Sequence, residues 1–335
     1  VSSGGAEVIG GKEGIATFRG TATRHGVTVL RTYGIVISFA VLCIAVAIAS
    51  DKFLTQTNLL SVTGQWAPQG LMAIGLTFVI LTGGFDLSIA AVFTLAGCTA
   101  AAIGLHHPAP VAFAAGVGVG LVAGAVNGLV IARANLNPFI TTLGTSFILT
   151  GITYVATKQN YVVTNPEFGE IGSGKFLGVP YLAIILVAML LLGGFVLRQT
   201  NYGQSIYAIG GNAEASRLSG ILVQPMIAST YVVSGICAAA GGVLSTSEVS
   251  SATASTDPTL LFDVVTIVVV GGTSLTGGFG GMWRTAVGLG IVAVMSNGFD
   301  LIGVNPNYQY IVKGLIIVGA LALDAYARRL SRAAA

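Results

Sequence analysis

Charge is what this sequence has least of. Asp, Glu, Lys and Arg together make up 8% of the 335 residues, against 54% apolar. Soluble domains carry about 25% charged residues, enough to cover a folded core. With a mean hydropathy of +0.86 this chain has no such cover, which excludes an ordinary water-soluble domain. It must use lipid as its solvent, where each spanning backbone satisfies its own hydrogen bonds as a helix or in a closed barrel. The short alternating segments that mark a barrel are missing too, and long unbroken apolar runs stand in their place. The fold class read from this is all-α, a polytopic membrane protein.

Cysteine is also scarce. Cys43, Cys98 and Cys237 all lie in apolar runs without CxxC or metal-ligand spacing, so they read as small core residues and no metal site is expected. A net charge of +3 excludes little, since in membrane proteins the placement of charge matters more than its sum, and no nucleic-acid partner is expected. The stretch 1–33 lacks an AxA-like cleavage site and is too long and mixed for a signal peptide. It reads as a cytoplasmic tail with Tyr33 near the interface, matched by a second tail at 325–335.

Segments able to cross roughly 30 Å of hydrocarbon fall near 34–50, 65–83, 87–105, 110–131, 138–157, 179–197, 226–246, 261–278, 284–299 and 307–323. This gives about ten spans in one transmembrane domain, 34–324. With the N-terminus inside, the inner segments hold Lys12, Arg19, Arg24, Arg31, Arg133, Arg198, Arg217, Arg284, Arg328, Arg329 and Arg332. The outer ones hold only Lys52, Lys158 and Lys175. Basic residues collect on the cytoplasmic side, so both termini are expected there.

Glycines at 116, 120, 124 and 128 share one helix face, where small residues let backbones approach closely in lipid; such a seam is either tight static packing or a moving interface. Two stretches imitate nucleotide sites. GEIGSGKF (169–176) matches GxxxxGK but has Phe176 where Ser or Thr must hold magnesium, and GVGVGLVAG (116–124) lies inside a span rather than after a soluble strand. Neither is expected to bind a nucleotide, so the chain is read as non-enzymatic, without a cofactor of its own.

The longest inner loop, RQTNYGQSIYAIGGNAEASRLSGILVQP (198–225), reads as two short helices broken at Gly210-Gly211. Asn212 can cap the second, Glu214 suits its first turn, and Gly220 supplies a left-handed stop. A capped helix in a loop that need only connect two spans is either a contact surface for a cytoplasmic partner or an interfacial helix with none.

Several stretches resemble one family in order along the chain. YAIGGNAEASRLSGI (207–221) is similar to the cytoplasmic coupling segment of the ribose/xylose/galactose-type permeases of bacterial ABC importers, with Glu214-Ala215-Ser216 and Gly220 resembling the EAA-x-x-x-G docking pattern. AIGLTFVILTGGFDLSIAAV (73–92) resembles the GG-x-DLS-x-G signature, with Ala90 where the family usually has glycine, a replacement expected to stiffen that turn slightly. NPFITTLGTSFILTGI (137–152) is similar to its PFI-x-TLGT segment, and FDVVTIVVVGGTSLTGGFGG (262–281) with NPNYQYIVKGLIIV (305–318) to its C-terminal motifs.

The resemblance implies a type II, vitamin B12 importer-like permease working as a homodimer. It would be joined to a cytoplasmic ATPase with two fused nucleotide-binding halves, which holds the ATP and magnesium, and fed by an extracytoplasmic sugar-binding protein. Tyr207, Gly210, Gly211, Asn212, Glu214, Ala215, Arg217 and Gly220 would form the ATPase contact, and Gly83, Gly84, Asp86, Ser88, Gly271 and Gly272 a structural signature. Ribose or a related pentose is the expected cargo, within a range of hexoses, polyols and furanosyl molecules.

For a neutral cargo the path residues are polar and uncharged: Asn127, Asn137, Thr141, Thr142, Thr145, Ser146, Ser296 and Asn297, with Phe139 beside them. Each has a plainer alternative, an interhelical hydrogen bond worth about 0.6–2 kcal/mol. Only Asp86, Asp263 and Lys313 are candidate charges within the spans, with Lys313 close enough to the outside to snorkel. Asp86 and Ser88 follow a helix-breaking glycine pair and are placed to cap the next helix. The competing readings are a proton- or cation-coupled transporter using Asp86, and a channel or scaffold. Finally, GGFDLS (83–88) echoes GGTSLT (271–276), and NG then NP follow in both halves, which leaves a parallel or an inverted repeat open.

Overall fold

Helices dominate the computed structural model, which describes residues 34–157, 160–255, 257–305, 307–316, 318, 319 and 322. The tails expected at 1–33 and 325–335, Tyr33 and most of the basic residues used for orientation lie outside the described residues. The elements are α1 (Gly34–Ala49), α2 (Gln56–Gln65), α3 (Ala67–Leu81), α4 (Ile89–Gly104), α5 (Ala109–Ala134) and α6 (Pro138–Ala156), then α7 (Pro166–Ser173) and α8 (Tyr181–Gln199). α9 (Asn201–Gly211), α10 (Ala213–Leu218), α11 (Val223–Val249), α12 (Pro258–Val270) and α13 (Met282–Leu301) follow, and α14 runs through 307–316. α5, α6, α8 and α11 are long and apolar enough to cross a bilayer, and α1, α3, α4 and α12 are shorter apolar helices.

Three helices start with one device. Asn137, Asn165 and Asp257 each accept a backbone N–H at the head of α6, α7 and α12, and each is followed by proline at the first helical position. There proline's missing N–H costs nothing and its fixed φ suits the helix. α3 is apolar on every side and accordingly buried from Ala67 to Leu81 apart from Gln69. α11 packs on α3, α4, α5 and α7 and forms the centre of the bundle. Outside it, rows such as Ile140, Phe147, Ile148 and Val155 on α6 and Val187, Leu191 and Phe195 on α8 stay exposed, as a lipid-facing surface requires.

The glycine stripe is a tight seam of this core. A methyl group at Gly120 would collide with the carbonyl of Gly235, at Gly124 with that of Tyr231, and at Gly128 with that of Ala228, all on α11. Gly116 faces Val243 and the Ala96 carbonyl. This is close packing of two long helices, the geometry small residues allow in lipid.

Four expectations shift. α12 stops at Val270 rather than 278, because Gly272 takes the left-handed conformation (φ +80°) and donates to the Val269 carbonyl, so 271–281 is a loop. The break between α9 and α10 falls at Asn212, with Gly210 and Gly211 still helical. α2 and α7 are helices outside the ten expected spans. Ala90 lies in the first turn of α4, buried, and so stiffens no turn. The GxxxxGK imitation is α7 plus a β2–β3 hairpin (Lys175–Phe176, Val179–Pro180) turned by Leu177 and Gly178 at positive φ. Gly172 there donates to Ser247 Oγ at 2.8 Å, a packing role. A second short ladder, β1 (Tyr161–Val162) with β4 (Ser251–Ala252), ties the α6–α7 and α11–α12 connections together.

The internal echo resolves into two unrelated parts. After α3, Gly83 donates to Ile80 and Gly84 to Val79; after α12, Gly272 donates to Val269 and Thr273 to Val268. The turns are alike, but Gly83 matches Gly272, one residue away from the sequence echo. Both lie at one end of the bundle, where Gly278 N–H meets the Leu81 carbonyl, so α3 and α12 run the same way. The NP pairs differ: Asn137 caps α6 at this end, whereas Asn305 follows α13 at the other. No single repeat covers both.

Candidate functional site

Asp86 sits between α3 and α4, 2% exposed, with its carboxylate fully engaged. Oδ1 accepts the backbone N–H of Ser88 at 3.0 Å and its hydroxyl at 2.6 Å, while Oδ2 accepts the hydroxyl of Ser234 on α11 at 2.8 Å. The Ser88 Oγ in turn accepts from Asn127 Nδ2 on α5 at 2.9 Å, and Asn127 Oδ1 accepts from Thr145 Oγ1 on α6 at 2.7 Å. Thr142, also on α6, accepts the Leu87 N–H at 3.0 Å. Five elements thus meet in one polar chain. Ser88 is the helix-capping residue by position but makes no side-chain cap bond. The expected cap is therefore corrected: Asp86 binds the N–H two residues on and crosses to α11. Sequence spacing gave no sign of Ser234, which is 148 residues away.

Of the residues expected to contact an ATPase, those from Gly211 to Gly220 lie mostly exposed at the same end, while Tyr207 and Gly210 are half-buried. Asn212 heads α10 and accepts the Ala215 N–H at 2.9 Å. Glu214 and Arg217 join by two bonds, 2.6 and 3.0 Å, with both side chains more than 60% exposed. The Arg217 guanidinium, by that hydrogen bond and its charge, holds the Glu214 carboxyl below its ordinary range. Gly220 is left-handed at φ +86°, as the stop requires. Tyr207 turns inward and donates to the Gly280 carbonyl at 3.1 Å. A cavity of about 740 Å³ lies under α10, lined among others by Gly83, Gly84, Pro138, Glu214, Arg217 and Tyr231.

The polar residues expected along a path are distributed over separate contacts. Asn127, Thr142 and Thr145 belong to the Asp86 chain, and Asn137 caps α6 by accepting the Phe139 N–H at 2.9 Å. Thr141 bonds back to the Asn137 carbonyl, Ser146 is half-buried on the same helix, and Phe139 is exposed beside Phe85. Ser296 is buried on α13. Asn297, also on α13, makes a reciprocal amide pair with Asn58 of α2, at 2.9 and 3.0 Å. Its partner decides this: an amide within the bundle is satisfied by whichever helix packs on it.

Lys313 does not snorkel. Its Nζ lies 2.8 Å from Asp263 Oδ1 and 3.0 Å from Oδ2, joining α14 to α12, with both side chains largely buried. Two of the three candidate intramembrane charges therefore neutralise each other. Removing one partner leaves a buried charge, which typically costs about 3–5 kcal/mol. Lys313→Met is expected to lower the melting temperature in detergent by several degrees, and Lys313→Met with Asp263→Asn to recover most of it. Equal melting of the single and double variants would show that the pair contributes nothing.

Comparison with known proteins bears on all of this. A family model described as branched-chain amino acid transport system / permease component matches residues 58–321. The chain is 38% identical over 300 residues to the ribose import permease protein RbsC of Bacillus subtilis, covering 88% of this chain and 93% of that protein. It is 38% identical over 294 residues to RbsC of Escherichia coli, covering 86% and 92%. To the L-arabinose transport system permease protein AraH of Escherichia coli it is 35% identical over 302 residues, covering 90% and 92%. No solved structure matches it significantly. With its apolar helices and a family match spanning most of its length, this multi-pass membrane chain belongs to the branched-chain amino acid transport system / permease component family.

Proposed function

We propose that this chain is the membrane subunit of an ATP-driven importer for a pentose, ribose or a close relative. The single observation that carries this is the near end-to-end similarity to two ribose permeases and an arabinose permease. In this reading two copies of a ten-span, type II subunit enclose the path, and both termini are cytoplasmic. A separate ATPase with two fused nucleotide-binding halves holds ATP and magnesium and docks on α9 and α10, while an extracytoplasmic binding protein delivers the sugar. The exposed, capped α10 supports a docking role, since a mere connection between α8 and α11 needs no such helix. Proton or cation coupling through Asp86 is not favoured, because every oxygen of that carboxylate is already held by Ser88 and Ser234.

The test is reconstitution with the ATPase and binding protein. Vanadate is expected to stop ribose uptake; uptake that survives vanadate and follows a proton gradient would overturn the proposal. Leucine offered with a matching binding protein tests the amino-acid cargo that the family description names, and leucine uptake in place of sugar would overturn the pentose assignment.

Within that assembly, Glu214→Ala is expected to reduce ATPase stimulation by loaded binding protein by about tenfold. Its melting temperature should stay close to the parent's, because exposed ion pairs contribute little to stability. Full stimulation in this variant would remove α10 from the contact.

A further inference from the structure

Three stretches of bare backbone meet under α9. Gly210 sits so close to the end of α3 and to the 271–281 loop that a Cβ there would overlap the Leu81 carbonyl and the Gly278 N–H. From the other side, a Cβ on Gly277 would lie 2.8 Å from the Gly83 N and 3.0 Å from the Gly210 Cα. The Leu81 carbonyl accepts the Gly278 N–H at 2.9 Å, and Tyr207, one turn before Gly210, donates to the Gly280 carbonyl at 3.1 Å. Gly277 and Gly278 reach this position only because both are left-handed, at φ +84° and +72°. Arg284 pins the loop from its far side, its guanidinium lying 4.6 Å from the centre of the Phe279 ring.

We infer that the Gly277-Gly278 turn is the receiver of the ATPase stroke, passing motion of α9 into the Asp86 junction. This rests on the ATP-driven reading above. No flexible side chain separates α9 from the turn, nor the turn from Leu81, and packed backbones transmit displacement because they compress little. Past Leu81 the chain bends at Gly83 (φ +80°) and reaches Asp86, whose bonds hold α4 through Ser88 and α11 through Ser234. Asn127 and Thr145 carry the same chain into α5 and α6. The loop also opens α13 at Met282. A short shift of α9 therefore biases five helices at once, where α10 alone touches only its neighbours. Gly277 and Gly278 act here as positioning residues, without contact to ATP or sugar.

Hydrogen exchange on the assembled importer in nanodiscs tests this without any substitution. Between the nucleotide-free and vanadate-trapped complexes, the amides of 207–211, 277–281 and 83–88 are expected to change together. A change at 207–211 with 277–281 and 83–88 unaltered would overturn the inference. Failure of any ATPase to assemble would instead refute the importer reading itself. Gly278→Ala supplies the second arm: in complexes that still assemble, ATP hydrolysed per sugar imported is expected to rise about tenfold. An unchanged ratio would overturn the inference, since a purely structural glycine lowers yield without altering stoichiometry.

Discussion

Asp86→Leu is expected to abolish accumulation of folded protein, whereas Asp86→Asn keeps the fold and much of the uptake. The carboxylate takes three hydrogen bonds in a site 2% exposed. Leucine accepts none of them, which strands the Ser88 N–H and two hydroxyls, and a buried polar group left without a partner costs about 1–3 kcal/mol. Because Ser88 Oγ is also the acceptor for Asn127, the loss spreads into α5 and α6. Asparagine still accepts from Ser88 through its carbonyl, and the Ser234 hydroxyl can turn to accept from its amide. Monodispersity and melting in detergent separate the two variants, and uptake in vesicles reads function. A well-folded Asn variant with no transport would show that the charge itself is required and would revive coupling through Asp86.

Gly120→Ala and Gly124→Ala are each expected to be strongly damaging, although each adds a single methyl. Each would drive a Cβ into a backbone carbonyl of α11, that of Tyr231 or Gly235. A carbonyl in the middle of a 27-residue helix cannot rotate aside as a side chain can, so α5 and α11 must separate along their length. Overpacking usually costs about 1–3 kcal/mol, and here separation also loosens the contacts of α11 with α3 and α4. Gly118 on the same helix is the control: nothing lies within 4 Å of its Cβ direction, and alanine there is expected to change melting by at most about 1 kcal/mol equivalent. Comparable loss in Gly118→Ala and Gly124→Ala would refute the seam, because helix propensity and lipid insertion are the same for both.

Much of the fold was legible because its signals are local. Hydropathy marks a span within some twenty residues. The Asn212 cap and the Gly220 stop lie within nine residues and stand as expected. The end of α12 is hidden in the sequence because Leu275 and Phe279 keep the stretch apolar; only the left-handed Gly272 shows that the helix has stopped. The sequence is equally silent on which polar residues bond to one another. Asn127 and Asn297 look alike in sequence, each followed by glycine, yet one joins the Asp86 chain and the other pairs with Asn58 on α2.

By itself the sequence determined that this chain lives in lipid, that the 212–220 segment is capped by Asn212 and stopped by Gly220, and which family its motifs resemble. Only the tertiary structure decided that Asp86 binds Ser234, that Lys313 answers Asp263, and that Gly210 rests on Gly278 and Leu81. The physical reason is the range of each force. Solvation and backbone propensity act on neighbours in the chain, whereas the partner of a buried polar atom, or the backbone a glycine admits, is set by which helix packs there, and that is fixed only when the whole bundle closes.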